Sequence, residues 1–258
     1  MAAGTALRFA TVAVLALLLG GVLAALRLRR GRGAGEARLG LWQHLEELRR
    51  RILAVAGTLL GGTVLALTVR VGAWRGWPVP VPALYDTVAA QLFRAMAAHL
   101  VPPGVRLVVT SPVDGFQAQF EVALAFGVAL TVPVALYQLG RFFGPALRAH
   151  ERRLLALALL PATALFLLGA AFGYAIVLPV TLAALYQFPG TLGAESLLQV
   201  GELSSFVLGF VLAFGAAFQA PLVMVVLSRV GLVRPRTYWR FWRHATLAIV
   251  IAAGILTP

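Results

Sequence analysis

The stretch from residue 120 to residue 178, FEVALAFGVALTVPVALYQLGRFFGPALRAHERRLLALALLPATALFLLGAAFGYAIVL, decides the fold. It contains two apolar runs, residues 120–139 and 154–178. Each is long enough to cross a bilayer core of about 30 Å as a helix, which takes roughly 20 residues. The segment between the two runs carries four arginines. Two apolar runs around a short basic connection are typical of antiparallel transmembrane helices with a cytoplasmic turn.

The composition of the whole chain extends this interpretation. Of 258 residues, 60% are hydrophobic and 12% are charged, whereas soluble domains carry about a quarter charged residues. We therefore expect an all-α, polytopic transmembrane helical bundle. Because the chain has no cysteine and its four histidines are widely spaced, we expect neither a metal site nor a cofactor. Four further apolar runs complete a predicted set of six: residues 7–26, 52–69, 206–226 and 245–256.

The arginines predict how the chain is oriented in the membrane. All 22 basic residues are arginine, and 17 of them lie in three alternate connections between the apolar runs. The positive-inside rule places these three connections in the cytoplasm. The segment 179–205 contains no arginine and carries Glu195 and Glu202, so we expect it outside. The net charge of +13 therefore fits anionic lipid headgroups better than nucleic acid.

The N-terminal 40 residues form a predicted separate unit. A cleaved signal peptide has its basic residues before the apolar stretch, whereas here the basic cluster follows residues 7–26. We therefore expect residues 1–40 to be a transmembrane extension with a Gly/Arg-rich linker. Residues 41–258 would form the main membrane domain.

The outer segment 70–116 is expected to contain an amphipathic helix between two groups of prolines. Apolar residues recur there at every fourth position, which is the spacing of one helical face. The sequence leaves open whether this face lies on the membrane surface, binds a partner or caps the bundle. The residues of this face are Leu84, Val88, Leu92, Met96 and Leu100.

Two acidic motifs lie in the basic connections. In LWQHLEELRRR, residues 41–51, Glu46 and Glu47 precede Arg50 and Arg51 by four residues, which favours ion pairs within a surface helix. In RFFGPALRAHERR, residues 141–153, Glu151 can pair with a neighbouring arginine in the same way. Alternatively, both acids are docking points for a cationic ligand, and a guanidinium is well suited to bidentate pairing with a carboxylate.

Gln219 is a polar residue inside the fifth apolar run. A polar side chain at that depth is costly unless it is partnered, which makes it a candidate functional residue. The alternative is an interhelical hydrogen bond worth about 1 kcal/mol or less. Prolines inside the apolar runs predict kinks, and they occur at Pro133, Pro161 and Pro221.

Six short motifs occur in one order along residues 41–258 and resemble the TatC family, the receptor subunit of the twin-arginine protein translocase. The resemblance implies a concave helical bundle without catalytic activity in the cytoplasmic (inner) membrane. It also implies binding of twin-arginine signal peptides on folded cargo, TatA and TatB partners in an oligomeric complex, and use of the proton-motive force. The motifs are HLEELR (44–49), SPVDGF (111–116), PVALYQ (133–138), GPAL with HERR (144–153), FG to P (214–221) and LTP (256–258).

The resemblance also implies roles for individual residues. Glu47 and Glu151 would contact the arginine pair of the signal peptide, and Gln219 would be the polar residue of the concave membrane cavity. The residues that would shape or border the cytoplasmic site are Arg49, Phe142, Pro145 and Arg152.

Three features depart from the family pattern. Gln219 stands where the family often has Glu. An amide can form hydrogen bonds but does not titrate, so a hydrogen-bonding role is kept at this position and a titratable role is in doubt. Glu121 stands where a basic residue is expected. The chain has an extra N-terminal helix, and it stops at Pro258, where the last family helix would be missing.

A small-solute secondary transporter is the alternative function. Such proteins place polar residues near the bilayer midplane in several helices, and they often contain an internal repeat. The sequence shows Gln219 as one such residue and no evident repeat. A membrane-embedded enzyme lacks a recognisable nucleophile and base.

Overall fold

The computed structural model describes residues 41–74, 77–83, 85–143, 149–191, 195–229, 231 and 233–256. The predicted N-terminal unit, residues 1–40, lies outside the described residues. The described helices are α1 (Leu41–Thr68), α2 (Val88–Leu100), α3 (Asp114–Phe143), α4 (Ala149–Phe172), α5 (Leu178–Leu185), α6 (Gln187–Thr191), α7 (Val200–Ala217), α8 (Ala220–Arg229) and α9 (Pro235–Leu256). The described strands are β1 (Val69–Trp74), β2 (Trp77–Pro82), β3 (Arg106–Val108) and β4 (Leu197–Gln199).

Four stretches of helix in the described chain are long and apolar enough to cross a membrane. They confirm four of the predicted apolar runs, and one of them passes from α4 through a π-helical turn, Gly173–Val177, into α5. Helix α9 contains the sixth run, but its first half is rich in arginine and α9 is not among the four. The first run lies outside the described residues. The four stretches are Leu45–Thr68, Asp114–Phe142, Ala156–Pro189 and Val200–Arg229.

Helices α1 and α3 approach each other closely at a pair of glycines. A Cβ built on Gly127 of α3 would lie 2.5 Å from Thr63 Oγ1 and 2.9 Å from Leu59 O of α1. A Cβ on Gly62 would lie 3.1 Å from the Cα of Gly127. Lipid tails are as apolar as the side chains, so helices in a membrane associate through close packing of small residues. The close crossing of α1 and α3 therefore depends on glycine, which has no Cβ, at both Gly62 and Gly127.

A second close approach joins α4 to α7. A Cβ on Gly169 would lie 2.5 Å from Phe214 O, and a Cβ on Gly215 would lie 2.6 Å from the ring of Phe166. Each glycine accommodates an aromatic residue of the opposite helix. The bundle therefore has two helix pairs fixed by glycine, α1 with α3 and α4 with α7.

The short strands were not predicted from the sequence. Strands β1 and β2 form an antiparallel hairpin, and β3 pairs with β4 in parallel. Strand β2 contains Pro78, Pro80 and Pro82, which have no N–H to donate. Their spacing of two directs all three nitrogens to the same edge of the strand, so the prolines fit a two-stranded hairpin with an open edge.

Helix α2 caps the bundle on the side where β1 begins. Thr87 accepts a hydrogen bond from the Ala90 N–H at 3.2 Å and caps the helix N-terminus. The predicted amphipathic helix is thus confirmed from Val88 onward, whereas Leu84 lies outside the described residues. The apolar face of α2 packs into the bundle. Of the three roles left open by the sequence, this is the capping role. The buried cluster consists of Met96, Leu100, Leu178, Leu182, Leu198, Leu203 and Val207.

The first prediction concerns the α1–α3 crossing. Gly127→Ala should lower the free energy of unfolding by about 1–3 kcal/mol, because the added methyl group meets the backbone of α1 and separates the helices. The matched control is Gly140→Ala on the same helix, where an added Cβ meets nothing within 4 Å. Thermal unfolding in detergent should show a loss for the first variant and none for the second. Equal melting temperatures would contradict the role of Gly127.

Candidate functional site

The centre of the candidate site is an ion pair at the start of α1. Arg51 Nη2 donates to Glu47 Oε1, one helical turn earlier. Arg51 Nη1 lies 3.3 Å from Gln138 O and 3.4 Å from Gln138 Oε1 on α3. The side chains of Arg51 and Glu47 are 12% and 27% exposed. The guanidinium of Arg51 therefore joins the acidic motif of α1 to the end of α3.

The Glu47 carboxylate retains unused hydrogen-bonding capacity. Its Oε2 atom is buried and has no hydrogen-bond partner among the described residues, and the same holds for Arg51 Nε. An ionised carboxylate accepts up to about four hydrogen bonds, and an unmet buried acceptor is unfavourable. Glu47 Oε2 is thus a buried acceptor that the described residues leave unsatisfied.

Arg49 lies apart from this pair. It contacts Glu46 at 3.8 Å, and the two side chains are 73% and 58% exposed. Exposed ion pairs of this kind contribute about 0–1 kcal/mol. The two acids of the motif therefore differ: Glu47 has the i,i+4 partner that the sequence suggested, while Glu46 pairs with Arg49 at i,i+3.

The remaining predicted site residues are at the turn between α3 and α4. Phe142 is half-buried at the end of α3. Glu151 and Arg152 belong to the first turn of α4, but their side chains are outside the described part, and Pro145 lies entirely outside it. The Arg51–Gln138 contact ties the start of α1 to the last two turns of α3. The start of α1 and the end of α3 therefore lie on one face of the bundle. This face carries the exposed Arg49, Arg50 and Arg141 and is hereafter called the Arg-rich face.

Gln219 makes an interhelical hydrogen bond. Its Nε2 donates to Ala162 O of α4 at 2.8 Å. The residue lies in the break between α7 and α8, just before Pro221, which cannot donate to the preceding turn. The Phe218 N–H keeps the usual α-helical bond to Phe214 O at 3.0 Å, whereas the Gln219 N–H bonds to Ala216 O, three residues earlier, at 3.0 Å. The contact with Ala162 corresponds to the interhelical hydrogen bond, one of the two alternatives considered for Gln219 above.

Glu121 is a polar residue whose surroundings the sequence did not explain. Its two carboxylate oxygens accept from Ser204 Oγ at 2.5 Å, Ser205 Oγ at 2.7 Å and Gln117 Nε2 at 3.0 Å. The serines belong to α7 and lie 83 and 84 residues further along the chain. The sequence contained a signal for this contact. The third and fifth apolar runs are both predicted to start on the outer side, so an acid near the start of one and a Ser-Ser pair near the start of the other are expected at the same depth.

Comparison with known proteins decides the family. The model of the family described as Sec-independent protein translocase protein (TatC) matches residues 43–258. The chain belongs to the TatC family. It is therefore a membrane component of the Sec-independent protein translocase, and the family is not enzymatic. Its role lies in protein transport as part of the Tat complex.

Relatives and solved structures agree with this assignment. The TatC protein of Cenarchaeum symbiosum is 40% identical over 222 residues, covering 84% of this chain and 83% of the relative. That of Aquifex aeolicus is 37% identical over 157 residues, covering 60% and 65% respectively. A crystal structure described as the twin-arginine translocase receptor TatC superposes with a TM-score of 0.68 at 34% identity, covering 83% of this chain and 87% of that one.

A second prediction concerns Glu121. Glu121→Ala should lower the free energy of unfolding by about 1–3 kcal/mol, because three donors then lose a charged acceptor. The control is Glu202→Ala, an exposed acid at the start of α7, which should change little. Thermal unfolding of both variants in detergent is the measurement. An equal loss of stability in both variants would mean that the loss comes from removing a negative charge, and not from removing the hydrogen bonds to the serines.

A third prediction concerns Gln219. Gln219→Leu fills a similar volume but removes the donor to Ala162 O, so unfolding should become easier by about 1 kcal/mol. Gln219→Asn shortens the side chain and should give a comparable loss, since the amide no longer reaches α4. Denaturation of both variants in detergent tests this. Wild-type stability in Gln219→Leu would argue against a linking role.

Proposed function

We propose that this TatC-family protein is the receptor for twin-arginine signal peptides and the core membrane subunit that exports folded proteins using the proton-motive force. In this proposal it assembles with TatA and TatB type subunits in the cytoplasmic membrane. The Arg-rich face would lie in the cytoplasm, where the peptide arrives. The similarity of this chain to a crystal structure described as that of a twin-arginine translocase receptor supports the proposal.

The observation that carries the proposal is the unused oxygen of Glu47. On a face where arginine predominates, Glu47 Oε2 is a buried acceptor without a partner in the described chain. A guanidinium is a rigid fork of N–H donors suited to a carboxylate. One arginine of the signal peptide would bond to Oε2 while Arg51 stays on Oε1.

The second arginine would pair with Glu151 at the start of α4. Arg49, Phe142, Pro145 and Arg152 would shape or border the site by motif match. Arg49 is exposed and pairs with Glu46, and Phe142 is at the end of α3. Residues 41–258 would act as the receptor domain, with residues 1–40 as a separate extension.

The alternative transporter function receives little support from the described spans. Gln219 donates to a backbone carbonyl of the adjacent helix. The buried threonines Thr63 and Thr131 donate to carbonyls of their own helices at 2.9 and 2.7 Å. These polar groups are already engaged within the protein, so they do not form an evident solute site.

The test is binding and crosslinking of a twin-arginine peptide to the purified chain. Glu47→Ala and Glu151→Ala should each weaken binding about tenfold or more, because a hydrogen bond to a charged group contributes about 1.5–3 kcal/mol. Crosslinks from a photoreactive group beside the arginine pair should map to both positions.

Glu46→Ala is the matched control, since it removes a neighbouring charge that is exposed and paired with Arg49. It should bind the peptide about as well as the wild type. If Glu47→Ala and Glu151→Ala leave both binding and export unchanged, the receptor proposal is wrong.

A further inference from the structure

The first half of α9 carries a row of arginines on one helical face. Arg236, Arg240 and Arg243 are separated by four and three residues, and this spacing keeps side chains on the same side of a helix. Continuing along that side, the next positions are the apolar Leu247, Val250 and Ile251. We name these six residues the α9 stripe.

The rest of the described chain leaves the α9 stripe open. All three arginines are exposed, and Leu247, Val250 and Ile251 are 61%, 61% and 55% exposed. No Asp or Glu follows Glu202 in the sequence. Ion pairs within the described residues involve Arg49, Arg51 and Arg94. The charge of the stripe is therefore not compensated by the described part of the protein.

A hydrogen bond orients the stripe away from the preceding helix. Tyr238 Oη donates to Met224 O of α8 at 3.2 Å. Tyr238 lies two residues after Arg236, which is about 200° round the helix axis. The tyrosine side of α9 thus faces α8, and the arginine side faces away from it.

We propose that the α9 stripe is a binding site for an anionic phospholipid. The three guanidinium groups bind the phosphate, since arginine matches phosphate oxygens with paired N–H donors. An acyl chain lies along Leu247, Val250 and Ile251. With a rise of 1.5 Å per residue, Ile251 is about 12 Å beyond Arg243 along the helix, on the path that a lipid tail takes from its headgroup.

Aromatic residues beside the stripe support a position at the membrane interface. Trp239 and Trp242 are 82% and 55% exposed, and indole rings are enriched at the headgroup level of membrane proteins. The Arg243 guanidinium lies 5.7 Å from the ring centre of Trp242. An acidic protein segment would satisfy the arginines, but a phospholipid also accounts for the apolar continuation of the same face.

The two tryptophans provide a direct assay. In a background with Trp42, Trp74 and Trp77 replaced by Phe, the remaining fluorescence comes from Trp239 and Trp242. The full chain in detergent micelles is titrated with brominated phosphatidylglycerol or brominated phosphatidylcholine, which quench by contact. Each basic residue near an anionic surface strengthens binding about fivefold. Half-maximal quenching by phosphatidylglycerol is therefore expected at a mole fraction at least about tenfold lower.

Matched variants separate a site from a general charge effect. Arg236→Gln, Arg240→Gln and Arg243→Gln combined should abolish the preference for phosphatidylglycerol. The control combines Arg50→Gln, Arg141→Gln and Arg153→Gln, which remove the same charge from exposed arginines elsewhere, and it should keep the preference.

Three results would overturn the proposal. The first is equal quenching by the two lipids, which would leave the stripe for a protein partner. The second is an equal loss of preference in both triple variants. The third is full displacement of the brominated lipid by millimolar glycerophosphate, which would indicate a phosphate site without an acyl chain. Peptide binding is not part of this assay, so its outcome is independent of the receptor proposal.

Discussion

Close contact of helix backbones at glycine is the constraint on which this bundle depends. In a membrane the surrounding lipid is as apolar as the helix surfaces, so burial alone does not select one helix arrangement. At Gly127 the space for a side chain is occupied by Thr63 and the backbone of Leu59. This crossing sets the distance and register of α1 and α3, and the contact of Arg51 with Gln138 follows from that register.

Two polar side chains of the described spanning helices, Gln219 and Glu121, are satisfied across helix pairs. Gln219 bonds to α4 beside the crossing where Gly169 and Gly215 admit Phe214 and Phe166. Glu121 bonds to the serines of α7. Both side chains are thereby engaged within the protein. Glu47 differs, because one of its oxygens has no partner in the described chain, which is why ligand recognition is placed there.

Membership of the TatC family explains the general class of this protein, but it does not explain the role of every polar residue in the bundle. The family accounts for a non-enzymatic, polytopic protein of the Tat complex. Gln219 and Glu121 are departures that the resemblance alone did not explain. In the structure both have hydrogen-bond partners, so each departure is compatible with a stable bundle. The exposed arginines of α9 and the Glu47 site lie on different helices, and we propose different classes of ligand for them.

Much of this protein could be predicted from local patterns in its sequence. Hydrophobic runs predicted four of the described spans, and the spacing of Glu47 and Arg51 predicted their ion pair. These features depend on neighbours within about 30 residues. The sequence did not predict that Arg51 also reaches Gln138, 87 residues away, or that Glu121 meets serines 83 and 84 residues away. Such contacts depend on which helices pack together and at what depth, and only the tertiary structure decided that.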